Sequence, residues 1–152
     1  MELFCFASNN LTNIWAGIGA GLWAVAETSE SDMKARVTKS CRMKIGSLGV
    51  LYCSETHSFT TPFLVYSEPD PIRVVTDVWP ERWRLPFRIH ALGNPTRQVE
   101  TSIASSKWPI LQKATAPSVS AAMNLTGTTV FVPKEISTED WAIIITDLSV
   151  GA

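Results

Sequence analysis

The order of hydrophobic and polar positions predicts short strands that alternate irregularly with helices. Apolar or alternating runs predict strands at residues 3–7, 22–25, 48–53, 63–67, 72–75, 87–92 and 128–132. We expect 63–67 to pair antiparallel with 48–53, which follows a turn at 45–47. Residues 79–86 contain two prolines and are predicted to form a loop.

Helix signals lie between and after these strands. Helices are predicted at 11–20 after the turn formers Ser8-Asn9-Asn10, from 28–32 to about Ser40, weakly across 96–122, and after Ser137 as the N-cap. The last of these helices carries acidic residues in its first turn, which suit the helix dipole. The pattern therefore predicts an α+β domain with a mixed or closed small β-barrel and flanking helices.

The composition fits a single globular domain over residues 1–152, with 45% hydrophobic and 18% charged residues. The longest apolar run, 14–26, is shorter than the ~20 residues of a membrane span, and no basic residue precedes it as in an export signal. Cys5, Cys41 and Cys53 form no disulfide or zinc pattern, which favours reduced thiols. We therefore expect a cytoplasmic domain without membrane contact, alone or as the N-terminal module of a larger protein.

Local charge changes the picture that the net charge of −1 gives. Between Lys34 and Lys113 there are 12 basic and 6 acidic residues, and the stretch 34–44 holds five basic residues and no acid. Such a patch is what phosphate contacts require. The alternative is a solvated helix face without a partner.

Familiar catalytic motifs are not found in the sequence. The glycines of 17–21 lack the spacing of a dinucleotide-binding loop, and neither His57 nor His90 has a nucleophile in a recognisable frame. His57 is expected in a turn and His90 on a strand surface. The sequence thus favours a binding domain rather than an enzyme, with no cofactor and no metal ion.

Six tryptophans are the most informative feature of the composition. Trp108 and Trp141 have apolar helical neighbours and are expected in the core. Trp23 lies in a short strand and Trp79 opens a proline-bounded loop, where aromatic rings can enclose a flipped base through stacking worth ~1–3 kcal/mol. Rings with that role are expected to be part exposed in the free protein. The alternative is that both rings are buried core.

Three ordered pieces of the chain resemble YTH domains. Residues 4–14 (FCFASNNLTNI) and 21–24 (GLWA) are similar to the opening of these domains, and residues 77–89 (DVWPERWRLPFRI) to their tryptophan loop and the next strand. Asn94-Pro95 also falls where that family has Asn-Pro. Residues 86–89 look equally like prokaryotic EVE domains. Both families have the PUA-like fold, and the resemblance covers roughly residues 3–100.

The resemblance implies an aromatic cage for a modified base. Matched by position, the cage residues are Trp23, Trp79 and either Trp83 or Leu85, and the polar or rim contacts to the base are Ser8, Asn9, Asn13 and Ala24. A structural alternative is that Asn9 caps the following segment while Asn13 stays in solvent. Ala7 and Ala24 stand where many YTH domains have Lys and Ser, which removes polar contacts and favours a prokaryotic YTH- or EVE-like module.

The leading hypothesis is a reader of N6-methyladenine in methylated DNA or RNA, with the base flipped out into the cage. Phosphate contacts are expected from Lys34, Arg36, Lys39, Arg42, Lys44, Arg82, Arg84 and Arg97. The resemblance implies the recognition module of a modification-dependent restriction system, fused to or associated with an NTPase or nuclease. One alternative is a reader of modified cytosine, of the 5-methylcytosine type, in DNA. Another is a PUA-like small-molecule or protein-interaction domain that does not bind nucleic acid.

Overall fold

Eight strands form one mixed sheet in the computed structural model, which describes residues 1–114, 116 and 118–151. The strands in this part of the chain are β1 (Glu2–Ser8), β2 (Leu22–Ala26), β3 (Leu48–Cys53), β4 (Ser58–Val65), β5 (Val74–Val75), β6 (Trp83–Ala91), β7 (Gln98–Glu100) and β8 (Lys134–Glu135). The helices are α1 (Leu11–Ala20), α2 (Glu30–Ser40), α3 (Thr101–Lys107), α4 (Pro109–Gln112), α5 (Val119–Ala122) and α6 (Thr138–Leu148). The α+β class predicted from the sequence is confirmed.

The strand order explains how distant parts of the chain meet. The main path of the sheet runs β2-β6-β4-β3-β1-β8, with β5 paired to β6 and β7 paired to β4. β1 and β3 are parallel, and the other pairs are antiparallel. Because the path ends at β2 on one side and β8 on the other, the sheet is open, and the predicted closure into a small barrel is not confirmed.

Both faces of the sheet are covered, and β1 shows this most clearly. Leu3 and Cys5 belong to one apolar cluster, whereas Phe4 and Phe6 belong to the other. Successive strand residues point to opposite faces, so an uninterrupted apolar run is what a strand buried on both sides requires. Trp108 is fully buried in the cluster around Leu3, as predicted.

Several predicted elements need correction. Residues 128–132 do not form a strand: a 3₁₀ turn at Gly127–Thr129 is followed by Phe131 with φ +65°, and β8 lies later. The β-branched residues of this stretch gave a strand pattern. Instead the chain turns here, Phe131 packs into the core, and the stretch joins no strand of the sheet. β6 begins at Trp83, inside the stretch predicted as a loop. Within the described ranges, no helix has both the length and the apolarity to cross a membrane.

The N-terminus of α6 is fixed by a reciprocal cap. The Ser137 hydroxyl accepts from the Asp140 backbone N–H, and the Asp140 carboxylate accepts from the Ser137 N–H and hydroxyl. The other carboxylate oxygen accepts from the Ile110 N–H at 2.8 Å, which joins α6 to α4. Asp140 is therefore both a helix cap and a link between two helices.

We expect Asp140→Asn to destabilise the domain by roughly 1–3 kcal/mol, because an amide nitrogen would face a buried N–H donor. Urea unfolding measures the change. Glu139→Gln is the matched control, since Glu139 is an exposed first-turn acid on the same helix. Its loss should cost under about 1 kcal/mol through the helix dipole. Equal losses in the two variants would contradict the linking role of Asp140.

Candidate functional site

A cavity of about 450 Å³ opens beside the C-terminal half of β1. Its wall is formed by residues 5–10, Asn13 of α1, residues 23–26 of β2 with Thr28, Arg36 of α2, Glu81, Trp83 of β6, and part of the segment 124–130. The volume lies in the range of ~300–1,000 Å³ that small-ligand sites occupy. β1, β2 and β6 thus place side chains from distant positions around one space.

The residues predicted to make the polar or rim contacts to the base all line this cavity. Ser8, Asn9, Asn13 and Ala24 line it. The side chain that caps α1 belongs to Asn10, which accepts from the Asn13 N–H at 2.8 Å. The alternative that Asn9 is the cap is therefore wrong.

The side chains of Asn9 and Asn13 have no hydrogen-bond partner among the described residues, and both are accessible. Ser8 differs, because its hydroxyl donates to the Asn10 carbonyl at 3.0 Å and is buried. An Asn side chain offers two donors and an acceptor to a ligand. Asn9 and Asn13 therefore each present a free amide to the cavity.

Three tryptophans pack together behind and along the cavity wall. The ring centroids of Trp23 and Trp83 are 5.3 Å apart with an interplanar angle of 87°, and both residues line the cavity. Trp79 stacks on Trp83 at 4.0 Å and 12° but does not line the cavity. Its indole N–H donates to the Asn13 carbonyl at 2.9 Å. Trp23 and Trp83 therefore form a corner, and Trp79 supports it.

The three rings are more deeply buried than the sequence led us to expect. Trp23, Trp79 and Trp83 expose 1%, 3% and 5% of their surface. The expectation of part-exposed rings was wrong, because each ring is covered by the others and by the core around them. The indole N–H of Trp83 is buried without a hydrogen-bond acceptor in the described part of the chain. An unsatisfied donor of this kind costs about 1–3 kcal/mol.

Leu85 lies outside the cavity and shapes its wall indirectly. The β2–β6 register shifts between Trp23 and Val25, so that Ala24 faces a bulge at Leu85. Leu85 is buried and has φ +58°, a conformation that costs a non-glycine residue on the order of 1–3 kcal/mol. Bulges re-aim side chains beside functional sites. The irregularity interrupts the ladder at Ala24, which lines the cavity.

Gly17 sets the position of Trp23. A Cβ at Gly17 would lie 2.8 Å from the Leu22 carbonyl oxygen and 2.9 Å from a carbon of the Trp23 ring. Only a residue without a side chain lets α1 lie this close to β2. The part of the cavity wall that Trp23 forms therefore depends on Gly17, which lies one turn before the end of α1.

The eight basic residues predicted to contact phosphate differ in what they bind within the chain. Arg42 pairs with Glu2, Lys44 with Glu68, and both Arg82 and Arg84 with Glu27, whereas Lys39 donates to the Thr128 carbonyl and Arg97 to the carbonyls of Thr146 and Ser149. Lys34 and Arg36 form no ion pair with the described residues. Exposed pairs contribute at most about 1 kcal/mol, so they do not prevent contact with a phosphate.

Cys5 is a cavity residue with an unreactive thiol. Burial raises the pKa of this thiol to about 12, and the positive charge of Lys134 opposes the rise only in part. The thiolate is the nucleophilic form, so the side chain stays protonated at neutral pH. Among the described residues, no group of three His, Cys, Asp or Glu side chains is placed to hold a metal ion.

Sequence reasoning missed one wall of the cavity. Asn124, Leu125, Gly127 and Val130 line it, and they lie beyond the stretch 3–100 that resembles YTH domains. The signal available was Gly127 among threonines, which indicates a loop. The segment meets α2 through Lys39, whose Nζ donates to the Thr128 carbonyl, a contact between distant positions that no local pattern shows.

The sequence matches no protein-family model and no curated protein. The architecture does match solved structures. The Mmi1 YTH domain aligns with 96% of this chain and 93% of its own, at 12% identity and a TM-score of 0.57. The Mmi1 YTH domain in complex with RNA aligns over 95% and 76%, at 12% identity and a TM-score of 0.56. The fold is that of a YTH domain.

A third structure with the YTH fold was solved with a modified ligand. It is the Toxoplasma CPSF4 YTH domain in complex with a 7-mer m6A-modified RNA. It aligns with 74% of this chain and 77% of its own, at 21% identity and a TM-score of 0.51. The YTH-like fold implied by the sequence is therefore confirmed, whereas the prokaryotic type is not.

We expect Gly17→Ala to destabilise the domain by about 1–3 kcal/mol, because the added methyl overpacks the contact with Trp23. Gly19→Ala is the matched control on the same helix, since its Cβ would meet nothing within 4 Å. That change should stabilise by roughly 0.4–1 kcal/mol. Thermal unfolding and near-ultraviolet circular dichroism of the tryptophans measure both. A Gly17→Ala protein as stable as Gly19→Ala, with the wild-type tryptophan signal, would disprove the contact.

Proposed function

We propose that this domain binds N6-methyladenine in RNA and holds the base in the cavity beside β1. The observation that carries the proposal is convergence: Ser8, Asn9, Asn13, Trp23, Ala24 and Trp83 were singled out from the sequence and line the same cavity. Two of the structures with the same fold are RNA complexes, one of them with m6A-modified RNA. These two facts support RNA ahead of DNA as the ligand.

The tryptophan corner supplies the apolar part of recognition. Trp23 and Trp83 stand nearly perpendicular, so a base stacked on one ring presents its own edge to the other ring. Removing a methyl group from water against these rings is favourable, whereas an unmethylated amino group would lose hydrogen bonds to water there. We infer that the corner opens when the base enters, because both rings are nearly fully buried. The unsatisfied N–H of Trp83 favours any state that gives it an acceptor.

The asparagine side chains discriminate between bases through hydrogen bonds to the base edge. The amides of Asn9 and Asn13 are free of partners in the described structure and face the same cavity as the rings. Together they provide donors and acceptors for the edge of a purine. The backbone of Asn13 is held by Trp79, so the amide is positioned by the same cluster that forms the apolar wall.

The wider biological setting is a separate matter. Recognition within a modification-dependent restriction system, with an NTPase or nuclease partner, stays a prediction from the sequence resemblance. The cytoplasmic location stays a prediction in the same way.

The direct test is a binding panel of short RNA and DNA oligonucleotides that carry adenine, N6-methyladenine, cytosine or 5-methylcytosine at one position. We expect methylated-adenine RNA to bind more tightly than its unmethylated match by on the order of tenfold, the effect of ~1.4 kcal/mol. A preference for 5-methylcytosine DNA would replace the proposal with the cytosine reading. No binding to any oligonucleotide at low salt would refute a nucleic-acid reader.

We expect Asn13→Ala to lower the affinity for the methylated RNA about tenfold, because one hydrogen bond to the base is lost at ~1.4 kcal/mol. Thermal stability should stay almost unchanged, since the Asn13 amide forms no hydrogen bond within the described structure. Thr12→Ala is the matched control: Thr12 is exposed on the same helix and lies off the cavity. Equal affinities in the two variants, or a large drop in melting temperature for Asn13→Ala, would contradict the role of the amide.

A further inference from the structure

One cation lies on the cavity wall and remains largely uncommitted. Arg36 is half-buried on α2 and lines the cavity, unlike the seven other basic residues predicted to contact phosphate. Its Nη1 donates to the Ala26 carbonyl at 3.2 Å. Its Nε and Nη2 have no acceptor within the described ranges, and no carboxylate there pairs with the guanidinium. Within the described ranges the guanidinium therefore uses one of its five N–H donors and leaves four free.

One hydrogen bond anchors the guanidinium, and a second part of the cavity wall lies close to it. Ala26 ends β2 and lines the cavity, so the hydrogen bond to its carbonyl fixes Arg36 at the edge of that strand. On the other side, a Cβ at Gly127 would lie 3.6 Å from Nη2. Lys39, one turn further along α2, donates to the Thr128 carbonyl at 2.8 Å and fastens the segment 124–130 against the helix. Arg36 thus lies between two parts of the cavity wall.

The charge around the cavity makes this position distinctive. Among the residues that the structure describes, Glu81 is the one carboxylate of the lining and Arg36 its one basic side chain. The asparagines and Ser8 are neutral. An anionic group that enters with a ligand is therefore attracted to Arg36 and repelled by Glu81.

We propose that Arg36 binds the phosphate attached to the nucleoside whose base occupies the cavity. The proposal rests on the proposed function and extends it: the site recognises a nucleotide unit rather than a base alone. A guanidinium fork with two free nitrogens matches the bidentate geometry that phosphate oxygens accept. Because Nη1 is already tied to Ala26, little side-chain freedom is lost when the phosphate binds.

The test compares N6-methyladenosine and adenosine with their 5′- and 3′-monophosphates by titration calorimetry on the full chain. We expect at least one monophosphate to bind the wild-type protein about tenfold more tightly than the nucleoside, the effect of a charge-assisted hydrogen bond of ~1.4 kcal/mol. Arg36→Gln should remove that advantage and leave the nucleoside affinity within about twofold. The advantage should also shrink with added salt in the wild type only.

Arg88→Gln is the matched control, because Arg88 is an exposed arginine that does not line this cavity and is not among the residues predicted to contact phosphate. It should keep the full advantage of the monophosphate. If Arg36→Gln keeps it as well, or if the nucleoside loses as much affinity as the monophosphate, Arg36 does not act on the phosphate. Arg36→Lys tests whether the fork geometry of the guanidinium matters. This variant should keep only part of the affinity that the monophosphate gains over the nucleoside. If it keeps all of that gain, the positive charge alone explains it.

The arms of the experiment separate the two proposals. Binding of the nucleoside without any gain from phosphate overturns the role of Arg36 and leaves the base-reading function intact. No binding of nucleoside or monophosphate to the wild-type protein overturns both. Tight binding of adenosine monophosphate irrespective of the methyl group supports the role of Arg36 and counts against the methyl-reading function.

Discussion

The mutual packing of Trp23, Trp79 and Trp83 is the interaction on which the cavity depends. These rings come from β2, from the loop before β6 and from β6 itself, and one indole N–H ties them to the backbone of α1. Aromatic pairs of this kind contribute about 0.5–1.5 kcal/mol each beyond the area they bury. The cluster therefore does two things at once, since it closes the core and supplies the apolar wall of the site.

Sequence patterns predicted much of this architecture because their signals are local. Apolar runs gave the strands near Leu48–Cys53 and the first two strands, and the cap at Ser137 gave the start of α6. Of the cage and base-contact residues that the resemblance implied, Trp79 and Leu85 lie off the cavity, and the others line it. The fold is shared at 12% identity, so few identical residues are needed to specify it.

The failures have a common physical origin in contacts that are distant in sequence. The depth of Trp23 depends on Gly17 and on two other rings, so no single segment reveals it. Asn9 and Asn10 are equivalent as local signals, and only the backbone path decides which one caps α1. The stretch 128–132 has strand-forming residues, but the burial of Phe131 decides its conformation.

The segment 124–130 has a consequence for how such a domain diversifies. Its threonines bond to one another, with Thr126 to Thr129 at 3.0 Å and Thr126 to Thr128 at 3.2 Å, so most of its polar groups are satisfied internally. Its link to α2 passes through one lysine and a backbone carbonyl, which is indifferent to the side chain at Thr128. Two of its side chains are anchored, since Leu125 and Val130 pack against the two apolar clusters, whereas Gly127 has no side chain to anchor. A Cβ at Gly127 would lie 3.6 Å from Arg36, so a substitution at this one position would change the shape of one side of the cavity while the tryptophan cluster, which lies on other elements, stays as it is.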